Sequence, residues 1–205
     1  MRDNGSMALV TVDGTDFCIN EPTPFGSKWN SHKFKHAGLR YEIRICIQTG
    51  WIVWVYGPFP ADQWTDLNIS RLGINKAIAA GEVFVADKTY KDKHGYSLTP
   101  TGKPGTRLGR MMAVARSRHE TVNRYFKMFG AFRNQWRHHR KKHGIAFWAA
   151  ANLVQARIQV EYPLFKVFYQ DQLRSNLRQQ RAAFKKEQRR LLIKQQHRKC
   201  RNHRS

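Results

Sequence analysis

The first half of the chain has the hydrophobic pattern of a β-sheet. Residues 8–13 form a β-branched run that ends at Asp13, followed by Gly14, which predicts a strand and then a turn. The stretch from there to about residue 40 is rich in Pro, Gly, Ser, Asn and Lys. It is therefore expected to be a loop.

A hairpin is predicted next. Residues 41–48 alternate Tyr and Ile with polar residues or Cys, the pattern of a strand with one buried face. Thr49-Gly50 predicts a turn, and residues 51–56 are apolar on both faces. We therefore expect the second strand to be more central in the sheet than the first.

A helix and a buried strand are expected after the hairpin. Thr65 is suited to cap a helix over residues 66–80 that stops at Gly81. The short apolar run 83–86 then ends at Asp87. Because a helix lies between the strands, this strand should run parallel to its neighbour in the sheet.

The second half of the chain has helical periodicity. From Leu108 a long helix is predicted, and another over about residues 145–160, with Pro163 at its exit. In the first of these helices, one stripe at helical spacing comprises Leu108, Met111, Met112, Ala115, His119, Val122, Phe126 and Phe129. These positions are the predicted core face. His119, on that stripe, is expected to be a hydrogen-bonded core histidine rather than a metal ligand.

The net charge of the chain indicates the kind of partner it binds. The 205-residue chain has 37 Lys and Arg against 14 Asp and Glu, a net charge of +23. A polyanion is the expected partner, since nucleic acid neutralises such charge with release of its own counterions. No apolar run approaches the roughly 20 residues of a membrane span, and the start lacks a secretory signal, so an intracellular protein without a membrane partner is expected. The three cysteines have neither zinc-site nor disulfide-framework spacing.

The few carboxylates include three with suggestive positions. Asp13 and Asp87 each end an apolar strand, where side chains are held by rigid elements. Glu120 lies at the border of the buried helix face, together with Arg116 and Lys127. Hard oxygen ligands from different elements are what two Mg²⁺ ions about 4 Å apart require for phosphodiester chemistry.

Structural roles for the same acids stay open. A strand-end Asp is often a turn residue, and Glu120 is spaced to form helical ion pairs with Arg116 and Arg124. Three further acids lie near these segments, and we favour loop or capping roles for them over accessory roles in a site: Asp16, Asp62 and Asp66.

The order of several motifs resembles a known family. The chain is similar over about residues 8–165 to the DDE superfamily endonucleases, the transposases of the Harbinger-like type and their domesticated derivatives. The motifs are Val12-Asp13-Gly14-Thr15-Asp16, Tyr56-Gly57-Pro58-Phe59-Pro60 ahead of Asp66-Leu67, Ala86-Asp87-Lys88-Thr89-Tyr90, and Arg116-Ser117-Arg118-His119-Glu120 with Phe129-Gly130.

The resemblance implies an α/β chain with an RNase H-like mixed β-sheet flanked by helices. Asp13, Asp87 and Glu120 would be the catalytic acids and would bind two divalent ions, Mg²⁺ or Mn²⁺. The implied activity is that of a metal-dependent DNA endonuclease or transposase, with phosphodiester hydrolysis and strand transfer. Arg116 and Lys127 match basic positions that accompany the glutamate in related bacterial transposases, whereas Ala113 stands where a tyrosine is frequent.

The amino end departs from the family pattern, since only 12 residues precede Asp13 and no DNA-binding helical region is found there. A separate DNA-binding accessory protein, or a truncated or domesticated copy, would account for this. Two alternatives therefore remain beside the enzyme. One is a catalytically silent DNA-binding derivative, and the other is a basic structural RNA-binding protein.

Double-stranded DNA is the expected partner, and a homo-oligomer is compatible with the sequence. Residues 1–169 are expected to form the catalytic domain and residues 170–205 a basic tail, helical or partly disordered. The tail's 12 Lys and Arg predict sequence-independent DNA affinity or nuclear targeting. The expected location is the nucleus in a eukaryote and otherwise the cytoplasm. The candidate DNA-binding residues are Lys33, Lys35, Lys88, Arg116, Lys127, Arg133, Arg137 and Arg140.

Overall fold

A computed structural model describes the backbone of residues 2–3, 6–100 and 107–167. By its internal contacts the chain divides into two units, Met1–Val167 and Phe168–Ser205. The predictions for the basic tail, residues 170–205, lie outside the described residues. All the described strands and helices belong to the first unit.

The strands are β1 (Arg2–Asp3), β2 (Ser6–Cys18), β3 (Asn30–Ser31), β4 (His36–Cys46), β5 (Ile52–Pro60), β6 (Glu82–Val85) and β7 (Ser97–Leu98). The helices are α1 (Asp66–Leu72), α2 (Ile74–Ala77), α3 (Arg107–Phe126), α4 (Gly130–Arg133) and α5 (Arg140–Val160). Single 3-10 turns cover Ser27–Trp29 and Lys88–Tyr90. No described helix is long and apolar enough to cross a membrane.

The sheet is mixed, as expected. Its main order is β5-β4-β2-β6-β7, with β1 paired to β2 and β3 to β4. The first three of these strands form an antiparallel meander, whereas β6 runs parallel to β2 and β7 parallel to β6. Two predictions are thereby confirmed, namely the hairpin at Thr49-Gly50 and the parallel strand after the helix.

The predicted loop over residues 14–40 is wrong at both ends. β2 continues past Asp13 to Cys18, and β4 already begins at His36, since the two strands pair from Val10↔Cys46 to Cys18↔Gly38. Their polar residues are accommodated by partners across the ladder rather than by solvent. Such long-range pairing leaves no local signal in the sequence.

The relative positions of β4 and β5 are also the reverse of the prediction. β4 lies between β2 and β5 and is buried on both faces, whereas β5 is at the edge and exposes Val53 and Trp54. The alternating pattern misled because Glu42 and Arg44 are buried as a pair. Both Nε and a terminal nitrogen of Arg44 donate to Glu42 Oε1, at 3.0 and 2.8 Å.

The helix predicted over residues 66–80 is split. Thr65 caps α1 as predicted, its hydroxyl accepting a hydrogen bond from the Asn68 backbone N–H at 3.3 Å. The chain breaks at Gly73 and continues as the short α2. A side chain at Gly73 would press on Arg44 and Tyr56, so this glycine allows the helix to lie close to the sheet.

Helices pack on both faces of the sheet. The α3 stripe is confirmed by the burial of Met112, Ala115, Val122 and Phe126, although the side chain of Leu108 is outside the described set. α3 and α5 cover one face through a core that includes Phe17, Tyr41, Ile43, Phe126, Phe147 and Val154. On the other face, α2 and the 3-10 turn Lys88–Tyr90 contribute to a smaller cluster of Val12, Ile74, Phe84, Ala86 and Tyr90.

α5 begins five residues earlier than predicted, inside the basic segment 133–143. The imidazole of His139 caps it, with Nδ1 accepting from the Lys141 N–H at 3.3 Å. Three cations, Arg140, Lys141 and Lys142, therefore occupy the first turn, which has no acid. Cations are unfavourable at the positive end of a helix dipole, so this helix end is suited to an anionic partner.

Candidate active site

Asp13 and Asp87 are brought side by side by one strand pairing. β2 and β6 are parallel, and their last paired residues are Thr11 and Val85. Each aspartate lies two residues beyond its member of that pair, at the same edge where β6 has ended. The sequence suggested that Asp13 ends its strand, but β2 continues to Cys18. Beyond Thr11, β2 is no longer paired with β6, so Asp13 has no strand partner on that side.

The Asp13 carboxylate lies among other acids. Burial, together with the carboxylates of Asp66 and Asp87, raises its pKa to about 6, although the charges of Lys33 and Arg116 act to lower it. Among the described residues, none forms a hydrogen bond or an ion pair with this carboxylate. A group in this state is ready to gain either a proton or a cation near neutral pH.

Asp87 is held by the turn that follows it. Its Oδ1 accepts hydrogen bonds from the backbone N–H of Thr89, at 2.8 Å, and from the Thr89 hydroxyl. Its Oδ2 faces a terminal nitrogen of Arg116 at 3.8 Å. One carboxylate oxygen is thus used to fix the side chain, and the other is directed towards α3. The alternative of a turn role for Asp87 is correct as far as Oδ1 is concerned.

Glu120 reaches the same region from α3. It lines a cavity of about 210 Å³ together with Asp13, Ala113, Arg116, Ser117 and His119. The buried His119 anchors α3 to the sheet, because its Nε2 lies 2.9 Å from the Thr11 hydroxyl, and burial lowers its pKa to about 3. The prediction that His119 is a hydrogen-bonded core histidine is confirmed.

The three predicted acids lie near this edge of the sheet, but their carboxylates do not converge on one position. Within the described side chains, no three of His, Cys, Asp or Glu converge tightly enough to hold a metal ion as they stand. The donors present are nonetheless hard carboxylate oxygens from a strand, a turn and a helix, the chemistry that Mg²⁺ and Mn²⁺ prefer. The residues therefore fit such an ion in the chemistry of their donor atoms.

A fourth acid, Asp66, belongs to this group. It is the first residue of α1, and its Oδ2 accepts a hydrogen bond from the Thr89 hydroxyl at 3.2 Å. Burial raises its pKa, with Arg40 and Lys33 opposing. Its Oδ1 has no hydrogen bond and lies against Gly14, where any side chain would collide with it. The sequence favoured a capping or loop role and missed this placement, although Asp66 stands within one of the motifs.

The other two neighbouring acids have separate roles. Asp16 lies in β2 rather than in a loop, and its buried carboxylate accepts from Arg40 Nε at 2.7 Å and Ser31 Oγ at 2.7 Å. Burial alone would raise the pKa of Asp16, but the hydrogen bonds from Arg40 and Ser31 lower it. Asp62 bonds His32 at the exposed surface, at 3.0 Å. Neither carboxylate has an oxygen directed into the cavity.

The structure places two of the predicted DNA-binding cations at the acids themselves. Lys33 donates to the Gly14 carbonyl at 3.0 Å and acts on the charges of Asp13, Asp16 and Asp66. Arg116 lines the cavity. The remaining predicted cations are exposed on the surrounding loops and helices, namely Lys35, Lys88, Lys127, Arg133, Arg137 and Arg140.

Two basic segments that are distant in sequence meet in the fold. The guanidinium of Arg140, at the start of α5, lies 4.7 Å from the centre of the Trp29 ring, and Lys28 lies 5.5 Å from it. Gln135 Nε2 lies 3.4 Å from Nε2 of His36, the first residue of β4. Loop 28–36 and segment 133–142 thus form one continuous basic surface with an aromatic ring at its centre.

Comparisons with known proteins found no family model, no curated protein and no solved structure that matches this chain. The likeness to DDE endonucleases therefore depends on the motifs and on the geometry of the site.

Proposed function

We propose that this protein is a metal-dependent DNA endonuclease or transposase of the DDE type, built on an RNase H-like fold. One observation carries the proposal. The parallel register of β2 and β6 sets Asp13 beside Asp87, and α3 brings Glu120 to the cavity that Asp13 lines. A mixed sheet flanked by helices, with acids at adjacent strand edges, supports the fold assignment.

Asp13, Asp87 and Glu120 would hold the divalent ions. Asp66 lies beside them, and its Oδ1 accepts no hydrogen bond but is 3.6 Å from a terminal nitrogen of Arg40. The bound ion would supply a Lewis acid for the phosphodiester and an activated water. The protein's own cations have a complementary task. Arg116 and Lys33 border the acids and can bind the phosphates on either side of the reacting bond, which orients the strand.

The surrounding surface suits a nucleic acid backbone. The surface made by loop 28–36 and segment 133–142 combines exposed cations with the Trp29 ring, a combination that binds phosphates and stacks bases. The cations in the first turn of α5 add to the positive end of its dipole, where a phosphate would relieve their repulsion. Contacts of this kind give affinity without base recognition.

A catalytically silent DNA-binding derivative is the second candidate. It is favoured by the lack, within the described residues, of three metal-binding side chains already converged. Lys33 and Arg116 also neutralise part of the acidic charge themselves. In this alternative the acids are a remnant and the basic surface performs the function.

Nicking of supercoiled plasmid with Mg²⁺ or Mn²⁺ separates the two candidates. The enzyme should nick DNA only with the metal, and Asp87→Asn and Glu120→Gln should each lower the rate by at least about 100-fold, which is about 2.7 kcal/mol. Asp92→Asn and Glu161→Gln are the matched controls, because Asp92 is paired with Arg71 and Glu161 follows the end of α5. If DNA binding persists but the native chain never nicks, the silent derivative is the correct assignment.

A further inference from the structure

Both carboxylate oxygens of Asp66 have neighbours within the protein. Oδ1 is buried, accepts no hydrogen bond and lies 3.6 Å from a terminal nitrogen of Arg40. The same oxygen packs against Gly14 so closely that a methyl group there would collide with it. Oδ2 lies 3.2 Å from the Thr89 hydroxyl. A metal ion on Oδ1 would have to displace Arg40 or the strand backbone, so Asp66 is better placed to act on the site through its neighbours.

Thr89 lies between the carboxylates of Asp66 and Asp87. Its backbone N–H donates to Asp87 Oδ1 at 2.8 Å, and its hydroxyl contacts that same oxygen as well as Asp66 Oδ2. A threonine hydroxyl carries one proton, so it can donate to only one of the two carboxylates at a time. The two acids therefore compete for a single donor.

A metal ion bound to Asp87 would change the outcome of that competition. A carboxylate that shares its charge with a cation is a weaker hydrogen-bond acceptor, because the negative charge is what strengthens such bonds. Asp87 also keeps the backbone N–H of Thr89, whereas Asp66 Oδ2 has no other hydrogen bond within the described part of the chain. We therefore expect the hydroxyl proton to turn towards Asp66 when Asp87 binds an ion.

Asp66 is itself held by a cation that cannot move freely. Arg40, its neighbour at Oδ1, donates to both oxygens of the buried Asp16 carboxylate, at 2.7 and 3.0 Å. These two bonds fix the guanidinium, and the guanidinium attracts the carboxylate of Asp66. The buried pair thus anchors Asp66, and Thr89 transmits its position to Asp87.

We propose that Asp66 and Thr89 are a positioning pair for Asp87 and that neither of them binds the metal ion. The pair holds Oδ1 of Asp87, so that Oδ2 stays directed towards α3, where Arg116 lies 3.8 Å away. Partners that orient a metal ligand in this way commonly contribute about 10- to 100-fold to metal affinity. The task of the pair rests on the proposed function, because it requires a metal ion at Asp87.

A purely structural role for Asp66 would have a different signature. Asp66 is the first residue of α1, where an acid also interacts favourably with the helix dipole. That interaction changes the free energy of unfolding, whereas a positioning pair changes the affinity for the metal ion. Calorimetric titration with Mn²⁺ and urea denaturation of the same variants of the full chain therefore separate the two roles.

The hydroxyl is tested by a matched pair of substitutions. Thr89→Val keeps the shape of the side chain but removes the donor, so Mn²⁺ binding should weaken about tenfold, the lower end of the expected range because water can partly replace an exposed hydroxyl. Thr89→Ser keeps the hydroxyl and should stay within about twofold of the native chain. Thr89→Ala is a second variant without the donor, for use if Thr89→Val does not fold. Native Mn²⁺ affinity in a folded variant that lacks the hydroxyl overturns the proposal.

A double-mutant cycle tests whether Asp66 acts through Thr89. Asp66→Asn should weaken Mn²⁺ binding about tenfold, because the hydroxyl proton then stays on Asp87 and competes with the ion for its charge. In the Thr89→Val background the same change should cost less than about threefold, the effect of its charge at a distance. Asp92→Asn, an acid paired with Arg71, should leave the affinity unchanged. An equal loss from Asp66→Asn in both backgrounds would mean that Asp66 acts independently of Thr89, and would overturn the pair.

The nicking assay gives a second measurement and separates this pair from the proposed nuclease. Thr89→Val should raise the Mn²⁺ concentration needed for half-maximal nicking more than it lowers the rate at saturating Mn²⁺. A native chain that binds no Mn²⁺ overturns the metal site and the pair together. A native chain that binds Mn²⁺ without nicking DNA overturns the nuclease alone, since calorimetry still decides the pair. Mn²⁺ binding and nicking that are both insensitive to Thr89→Val overturn the pair alone.

Discussion

Asp13 and Asp16 lie three residues apart on β2, yet the pKa of one carboxylate is raised and that of the other is lowered. Asp16 is buried and held by Arg40 and Ser31, and these hydrogen bonds lower its pKa. Asp13 is partly exposed beside other acids, and its pKa is raised to about 6. The difference arises because Asp16 pairs across the ladder with Arg40, while Asp13 faces the edge where β6 has ended. Position relative to a cation, not residue type, separates the structural acid from the candidate catalytic one.

The largest effect is expected from removal of the structural acid. Asp16→Ala leaves Arg40 as a buried cation without its main partner, and should lower the free energy of unfolding by about 3 to 5 kcal/mol. Urea denaturation at pH 7 measures it, with Asp13→Ala as the matched variant that should cause no such loss. The double variant Asp16→Leu/Arg40→Met should recover most of the stability. Equal losses for Asp13→Ala and Asp16→Ala would contradict the distinction between the two acids.

Divalent metal ions should bind at Asp13 rather than at Asp16. If Asp13 and Asp87 bind Mn²⁺, a metal concentration 100 times the dissociation constant should stabilise the native chain by about 2.7 kcal/mol. Asp87→Asn should abolish this gain, since an amide lacks the charge that attracts a hard cation. Calorimetric titration and thermal unfolding give the binding and the stability, with Asp92→Asn as the control. Unchanged Mn²⁺ binding by folded Asp87→Asn would remove Asp87 from the site.

The raised pKa of Asp13 predicts a pH dependence with a definite sign. The Asp13 carboxyl binds a proton with a pKa of about 6 in the folded state and near 3.8 in the unfolded state, so its contribution to native stability falls as pH rises from about 4 through 6. Asp13→Asn, which cannot titrate, should therefore match the native chain at pH 4 and be about 2 kcal/mol more stable at pH 7 without metal. Urea titrations with EDTA at several pH values measure this. The buried histidines contribute equally to both proteins and cancel. A stability difference that does not vary with pH would show that Asp13 is not perturbed.

A smaller effect is expected for Lys33. Its ammonium group lowers the pKa of Asp13 and shares the negative potential that a metal ion would use. Lys33→Met should therefore tighten Mn²⁺ binding by roughly 1.4- to fivefold, the range expected for an exposed charge pair worth about 0.2 to 1 kcal/mol. Lys35→Met, on the same exposed turn, is the control. Weaker Mn²⁺ binding in Lys33→Met would mean that the lysine organises the acids rather than competing for them.

Much of the framework was predictable from local pattern. The hairpin at Thr49-Gly50, the Thr65 cap, the parallel β6 and the α3 stripe were all read from periodicity and turn chemistry, which report local backbone preference and burial. The course of residues 14–40 and the central place of β4 could not be predicted in this way. Those features depend on cross-strand pairs such as Asp16–Arg40 and on the buried Glu42–Arg44 pair, whose members look solvent-exposed when seen one at a time.

For the candidate site, the sequence by itself determined which acids follow apolar strands and which glutamate borders the core face of α3. It also determined that the surroundings are strongly basic. Only the tertiary structure decided that Asp66 joins Asp13 and Asp87, that Asp16 is neutralised by Arg40, and that Lys33 lies among the acids. The physical reason is that charge interactions depend on distance through space and on desolvation, and both are set by the register of β2 with β4 and β6.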